Sequence, residues 1–166
     1  MTPFHVAALM DHGEILQDFL SKGGDVNKTD SYGLSPLHFA ASGRNCVESV
    51  ELLVAAKSDV NQKDKAGKTA LHCAAGNQTQ RAADIVKILC DANAKVNIAD
   101  KQMKDTPLHI TARNNNVKAA GFLIDKGADV NALNKRGKTP IELALDGHCA
   151  EVASLLVESG AGADTK

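Results

Sequence analysis

Thr106-Pro107-Leu108-His109-Ile110-Thr111-Ala112 is followed by a polar break, Arg113-Asn114-Asn115-Asn116, then by Val117 to Ile124, and then by Asp125-Lys126-Gly127-Ala128-Asp129-Val130-Asn131. The reading of this stretch decides the fold. Thr106 is placed to cap a helix, because its hydroxyl can accept one of the backbone N–H groups that a helix start leaves without a partner. Pro107 falls on the first helical position, where a missing N–H has no consequence. Val117 to Ile124 predicts a second short helix, and Gly127 is suited to the left-handed stop after it. One such pair cannot bury both of its apolar faces, so it needs neighbours.

The chain supplies them. Thr2-Pro3-Phe4-His5, Ser35-Pro36-Leu37-His38, Thr69-Ala70-Leu71-His72, Thr106-Pro107-Leu108-His109 and Thr139-Pro140-Ile141-Glu142 open five units, at intervals of 33, 34, 37 and 33 residues. Asp25-Val26-Asn27, Asp59-Val60-Asn61, Lys95-Val96-Asn97 and Asp129-Val130-Asn131 close four of them. With this period and this opening motif the chain resembles the ankyrin repeat family over nearly its whole length. The resemblance implies an all-α solenoid of stacked helix-turn-helix units joined by short β-hairpin loops. Residues 1–166 form a single domain, with repeats at about 2–29, 30–63, 64–99, 100–133 and 134–166. The segment that would form a hairpin before Thr2 is absent, which is expected either of a chain that begins abruptly at the helix cap or of a cut from a longer array. Apolar residues at both ends (Phe4, Val6 and Phe19; Val152, Leu155 and Val157) are of the kind an internal unit would bury, so a spacer within a longer array is the alternative reading.

The units differ in detail. Lys57 stands where a glycine would end the second helix of unit two, and Asn93 takes that place in unit three. Asn tolerates the left-handed conformation, whereas Lys there costs about 1 kcal/mol. The break Gly76 to Arg81 is longer than the pattern, and the turn Asp100 to Asp105 is longer by one residue and lacks glycine, so an irregular tip is expected. Ala161 to Lys166 are expected to fray.

Composition limits the function. A net charge of −1 gives no reason to expect polyanion binding as the main task, and with 3% aromatic content the residues that stack on nucleic-acid bases are missing. No apolar run is long enough to cross a bilayer, so no membrane insertion is expected. Cys46, Cys73, Cys90 and Cys149 lie in different units, which suits reduced thiols in a cytoplasmic or nuclear protein.

The conspicuous polar feature is the series His5, His38, His72 and His109. Metal binding or base catalysis is one reading. The other is that His sits at the third helical position and returns a hydrogen bond to the capping residue. Unit five favours the second, since Glu142 there completes a capping box. Repeats stacked about 10 Å apart also hold two imidazoles too far apart to share a zinc. On this reading Glu and His are interchangeable, and His72→Glu leaves the fold intact. His72-Cys73 and His148-Cys149 diverge along a helix and are read as packing. With no nucleophile motif or phosphate loop, no enzyme activity, cofactor or metal is expected.

What remains is surface. The resemblance implies non-catalytic protein–protein recognition by a scaffold or adaptor, through the concave face and the hairpin tips. The matching positions include Tyr32, Leu34, Lys65, Lys68, Met103, Lys104, Arg136 and Lys138 on the tips, and Ser42, Asn77, Arg113 and Asn114 at the ends of first helices. Tyr and Arg dominate interface energies. Lys135, Arg136 and Lys138 have no acid near them in sequence, so the tips favour an acidic or phosphorylated segment of a protein bound by a monomer. The family resembled also includes substrates of an asparaginyl hydroxylase acting on the Asn after Asp-Val. Asn27, Asn61 and Asn131 match that short pattern, which the repeat supplies in any case.

Overall fold

The computed structural model describes residues 1–162. Among them are ten helices and no strand: α1 (Pro3–Leu9), α2 (Gly13–Ser21), α3 (Pro36–Ser42), α4 (Val47–Ala55), α5 (Ala70–Gly76), α6 (Ala82–Asp91), α7 (Pro107–Arg113), α8 (Val117–Asp125), α9 (Pro140–Asp146) and α10 (Ala150–Glu158). None is long and apolar enough to cross a membrane. Each unit contributes an antiparallel pair. The odd-numbered helices stack on one another in one layer and the even-numbered helices in a second.

Small side chains let the layers approach. Ala8, Ala41, Ala75 and Ala112 are fully buried, as are Leu16, Val50, Leu89, Leu123 and Leu156 from the second helices. These short helices are marginal alone and gain their stability from this burial. At the first end, Phe4 is covered by its own unit, its ring stacked on Phe19 with centroids 4.0 Å apart. Val152 is likewise buried, while Met10, Ile15, Leu133, Leu145 and Val157 stay more than half exposed.

The tips are turns rather than strands. Asp30, Asp64 and Asn134 donate their backbone N–H to the carbonyl of the fourth residue on, and Asp100 to that of the fifth. The longer turn has Lys104 at φ 56, the left-handed place that Gly33, Gly67 and Gly137 fill elsewhere. Neighbouring tips are joined by single bonds: Lys65 N–H to Tyr32 O, Lys101 N–H to Ala66 O, and Lys135 N–H to Met103 O. Lys57 (φ 64) and Asn93 (φ 65) do occupy the left-handed stop. Ala161 and Gly162 are not frayed: Ala161 N–H donates to Leu156 O and Gly162 N–H to Asn131 Oδ1. The rest of the expected frayed segment, 163–166, lies outside the described residues.

Candidate protein-binding surface

The histidines show what holds the surface rigid. In units one to four the backbone N–H of the capping Thr or Ser donates to the ring Nδ1 at 3.1–3.2 Å. The ring's Nε2 faces a carbonyl farther along the chain: that of Lys28, at the end of its own unit, for His5, and one of the following unit for the others, Lys68 for His38, Asp105 for His72 and Lys138 for His109. A carbonyl only accepts, so Nε2 carries the proton and Nδ1 accepts from both the backbone N–H and the hydroxyl. Burial pushes the pKa of His38, His72 and His109 below the ordinary imidazole value. The slot therefore asks for more than a local cap. Glu142 makes only the local bonds, to Thr139, and is exposed. The equivalence of His and Glu holds only where no described unit follows.

A second series ties the other edge. Asn27, Asn61, Asn97 and Asn131 accept, at Oδ1, the backbone N–H of Asp59, Lys95, Asp129 and Gly162. The carboxamides matching the hydroxylation pattern are thus committed to the next unit.

On this frame the candidate residues divide. Tyr32 is 70% exposed on its turn. Lys65, Lys104 and Arg136 are exposed; Leu34, Lys68, Met103 and Lys138 are half-buried. Ser42 is exposed, with Oγ donating to Phe39 O. Asn77, expected at the surface, is instead buried. Its Nδ2 donates to Ala41 O and Gly43 O of the preceding unit, and its Oδ1 accepts from Thr79 N–H. Asn114 is half-buried, with Nδ2 3.4 Å from Ala75 O.

Two ion pairs were missing from the sequence reading. Arg113 Nη1 donates to Asp105 Oδ2 at 3.1 Å, and Asn134 Nδ2 donates to the other carboxylate oxygen at 2.9 Å. Lys138, expected to have no acid nearby, pairs with Asp146 at the end of α9. Opposite charges eight residues apart across a first helix were the available signal. Lys101 was also overlooked; its Nζ lies 3.3 Å from Lys65 O and continues the basic edge.

Burial disfavours the thiolate of three cysteines. Burial pushes Cys46 and Cys90 up to about 11 and Cys73 to about 12, and all four cysteines are free. Among the described residues no three His, Cys, Asp or Glu side chains come together as a metal site.

The family model for ankyrin repeats (3 copies) matches residues 4–100 and 96–166. The chain belongs to the ankyrin repeat family. It is 31% identical over 161 residues to the nuclear factor NF-kappa-B p105 subunit of Gallus gallus, covering 96% of this chain and 16% of that protein. It is 26% identical over 145 residues to the putative ankyrin repeat protein FPV230 of fowlpox virus, covering 87% and 74%. The ankyrin repeat and KH domain-containing protein mask-1 of Caenorhabditis elegans is 32% identical over 146 residues, covering 86% of this chain and 5% of that protein. Thus the chain spans a small part of two of these relatives. Ankyrin repeats generally mediate protein–protein interaction and are typically non-catalytic.

Proposed function

We propose that this ankyrin domain is a non-catalytic scaffold or adaptor that binds a partner protein through its concave face and hairpin tips, as a monomer, in a reducing compartment. The observation that carries this reading is the composition of the tip edge. Tyr32, Lys65, Lys101, Lys104, Lys135 and Arg136 are exposed on consecutive tips that backbone bonds hold in line. Asp30, Asp64 and Asp100 on the same tips are turned onto backbone N–H groups of their own turns. An exposed aromatic next to a row of cations fits an acidic, extended segment of a partner. The frame is preformed by bonds between units, so little ordering cost falls on binding.

The test compares the wild type with Tyr32→Ala/Lys65→Ala/Arg136→Ala as baits in extract, read by mass spectrometry. All three side chains are exposed and none holds a neighbouring unit by its side chain, so the variant keeps its helical circular dichroism. A partner recovered with the wild type and lost with the variant supports the reading. Equal recovery by both refutes it and leaves the spacer alternative.

A further inference from the structure

Unit three breaks a pattern that units four and five keep. In each unit the residue before the helix cap and the residue eight positions later lie across the first helix from one another. Unit four fills these places with Asp105 and Arg113, bonded at 3.1 Å. Unit five fills them with Lys138 and Asp146, again paired, with the signs exchanged. Unit three has Lys68 in the first place and Gly76 in the second. Lys68 therefore holds the position of Lys138 without the carboxylate that Lys138 possesses. Among the described residues its ammonium makes no hydrogen bond and no ion pair. Asp64 is close in sequence, but its Oδ1 accepts the Lys68 backbone N–H at 2.8 Å and serves the turn. Above Gly76 the space is open: a Cβ there would meet only Ile110 Cγ2, at 3.8 Å. Gly76 is exposed and Lys68 is half-buried, and the Lys68 ammonium has no ion-pair partner among the described residues.

We propose that Lys68 and the gap over Gly76 form an anchoring notch for one carboxylate of an acidic partner segment, which takes the place that Asp146 fills beside Lys138. This rests on the reading of the concave face and tips as the binding surface, and it names the contact that fixes the register of the partner there. Lys65, on the same turn, and Lys101, whose Nζ reaches Lys65 O, extend the positive field toward the tips. The neighbouring pairs, Asp105 with Arg113 and Lys138 with Asp146, are already neutral, which leaves Lys68 as the cation of this cross-helix series that lacks a carboxylate among the described residues.

The test places the missing acid within the chain itself. Gly76→Asp reproduces the unit-five pair in unit three, and the open space allows it without displacing a neighbour. A fluorescein-labelled octaglutamate peptide is titrated by anisotropy, with octaglutamine as the uncharged control. The wild type binds octaglutamate and not octaglutamine. Gly76→Asp and Lys68→Gln each weaken binding by about fivefold, the scale of one partly exposed ion pair. Asp146→Gly strengthens it by freeing Lys138. Wild-type affinity in both Gly76→Asp and Lys68→Gln overturns the notch, as does no octaglutamate binding by the wild type. If Gly76→Asp proves unfolded, Lys68→Gln decides. Partner recovery separates this from the broader reading. Loss with the Tyr32, Lys65 and Arg136 variant, but full recovery with Gly76→Asp, overturns the notch alone. Recovery with both refutes the surface assignment itself.

Discussion

His72 Nε2 lies 3.3 Å from the carbonyl oxygen of Asp105, a residue of the next unit, while its Nδ1 holds the cap of its own helix. One neutral imidazole thus closes a helix start and a repeat interface together. Burial keeps the ring's pKa low, outweighing the hydrogen bond to the Asp105 carbonyl and the charge of Asp100, both of which favour the imidazolium.

His72→Glu is therefore expected to destabilise the fold rather than leave it intact. The carboxylate retains the capping bonds but has no proton for Asp105 O, and it is buried with the Asp100 charge nearby, against which stands the cation of Lys68. Removing a donor from a buried acceptor and burying an uncompensated charge together amount to about 3 kcal/mol or more. Glu142→His, at an exposed position, changes little. Urea midpoints of the two variants check the contrast; equal midpoints would restore the cap-only account.

Stability should fall as pH drops below about 6.5. Burial lowers the folded-state pKa values of His38, His72 and His109 from the ordinary imidazole value of 6.5, so in that region the unfolded chain binds protons that the folded chain refuses. Stability rises with pH wherever the unfolded state binds more protons. The contribution is complete above the unfolded pKa and is lost as pH falls through the folded values. Melting temperature measured from pH 7.5 to pH 5 should decline, and the decline should shrink in His109→Gln. A flat profile would mean that the folded rings take up protons as readily as the unfolded ones, so that burial does not lower their pKa values.

The repeat, the helix pairs and the left-handed stops were legible in the sequence because each is a local rule: a capping residue, an apolar period, a glycine or asparagine after the helix. The same locality explains what was not. Asn77 looked like an exposed helix end, and only the preceding unit, with the carbonyls of Ala41 and Gly43, buries it. Lys138 looked unopposed because its partner Asp146 lies a whole helix away. The histidine slot looked like a cap because the second ring nitrogen bonds a residue of a different repeat. Contacts between units are set by stacking, which no single unit encodes.

Lys57→Gly should raise stability. Lys57 stands at φ 64 on an exposed turn, and its side chain makes no hydrogen bond or ion pair among the described residues. A non-glycine residue in that region costs about 1 kcal/mol, partly offset by the greater backbone entropy of glycine in the unfolded chain. The urea midpoint should move upward by a few tenths of a kcal/mol to about 1 kcal/mol equivalent. A downward move would show that entropy dominates.

Arg113→Ala and Lys138→Ala should differ although each removes one cation from an ion pair of the same spacing. The Asp105 side chain is only 4% exposed, so without Arg113 its charge stays in the interior with Asn134 Nδ2 as its side-chain donor. Leaving a buried charge without its counter-ion costs about 3 kcal/mol. The Asp146 side chain is 56% exposed, and water takes over when Lys138 is removed, so no measurable loss follows. Adding Asp105→Asn to Arg113→Ala should recover much of the deficit, because an amide needs no counter-ion and still accepts from Asn134. If the double variant is no more stable than Arg113→Ala alone, the loss arises from the packing of the arginine stem and not from the stranded carboxylate.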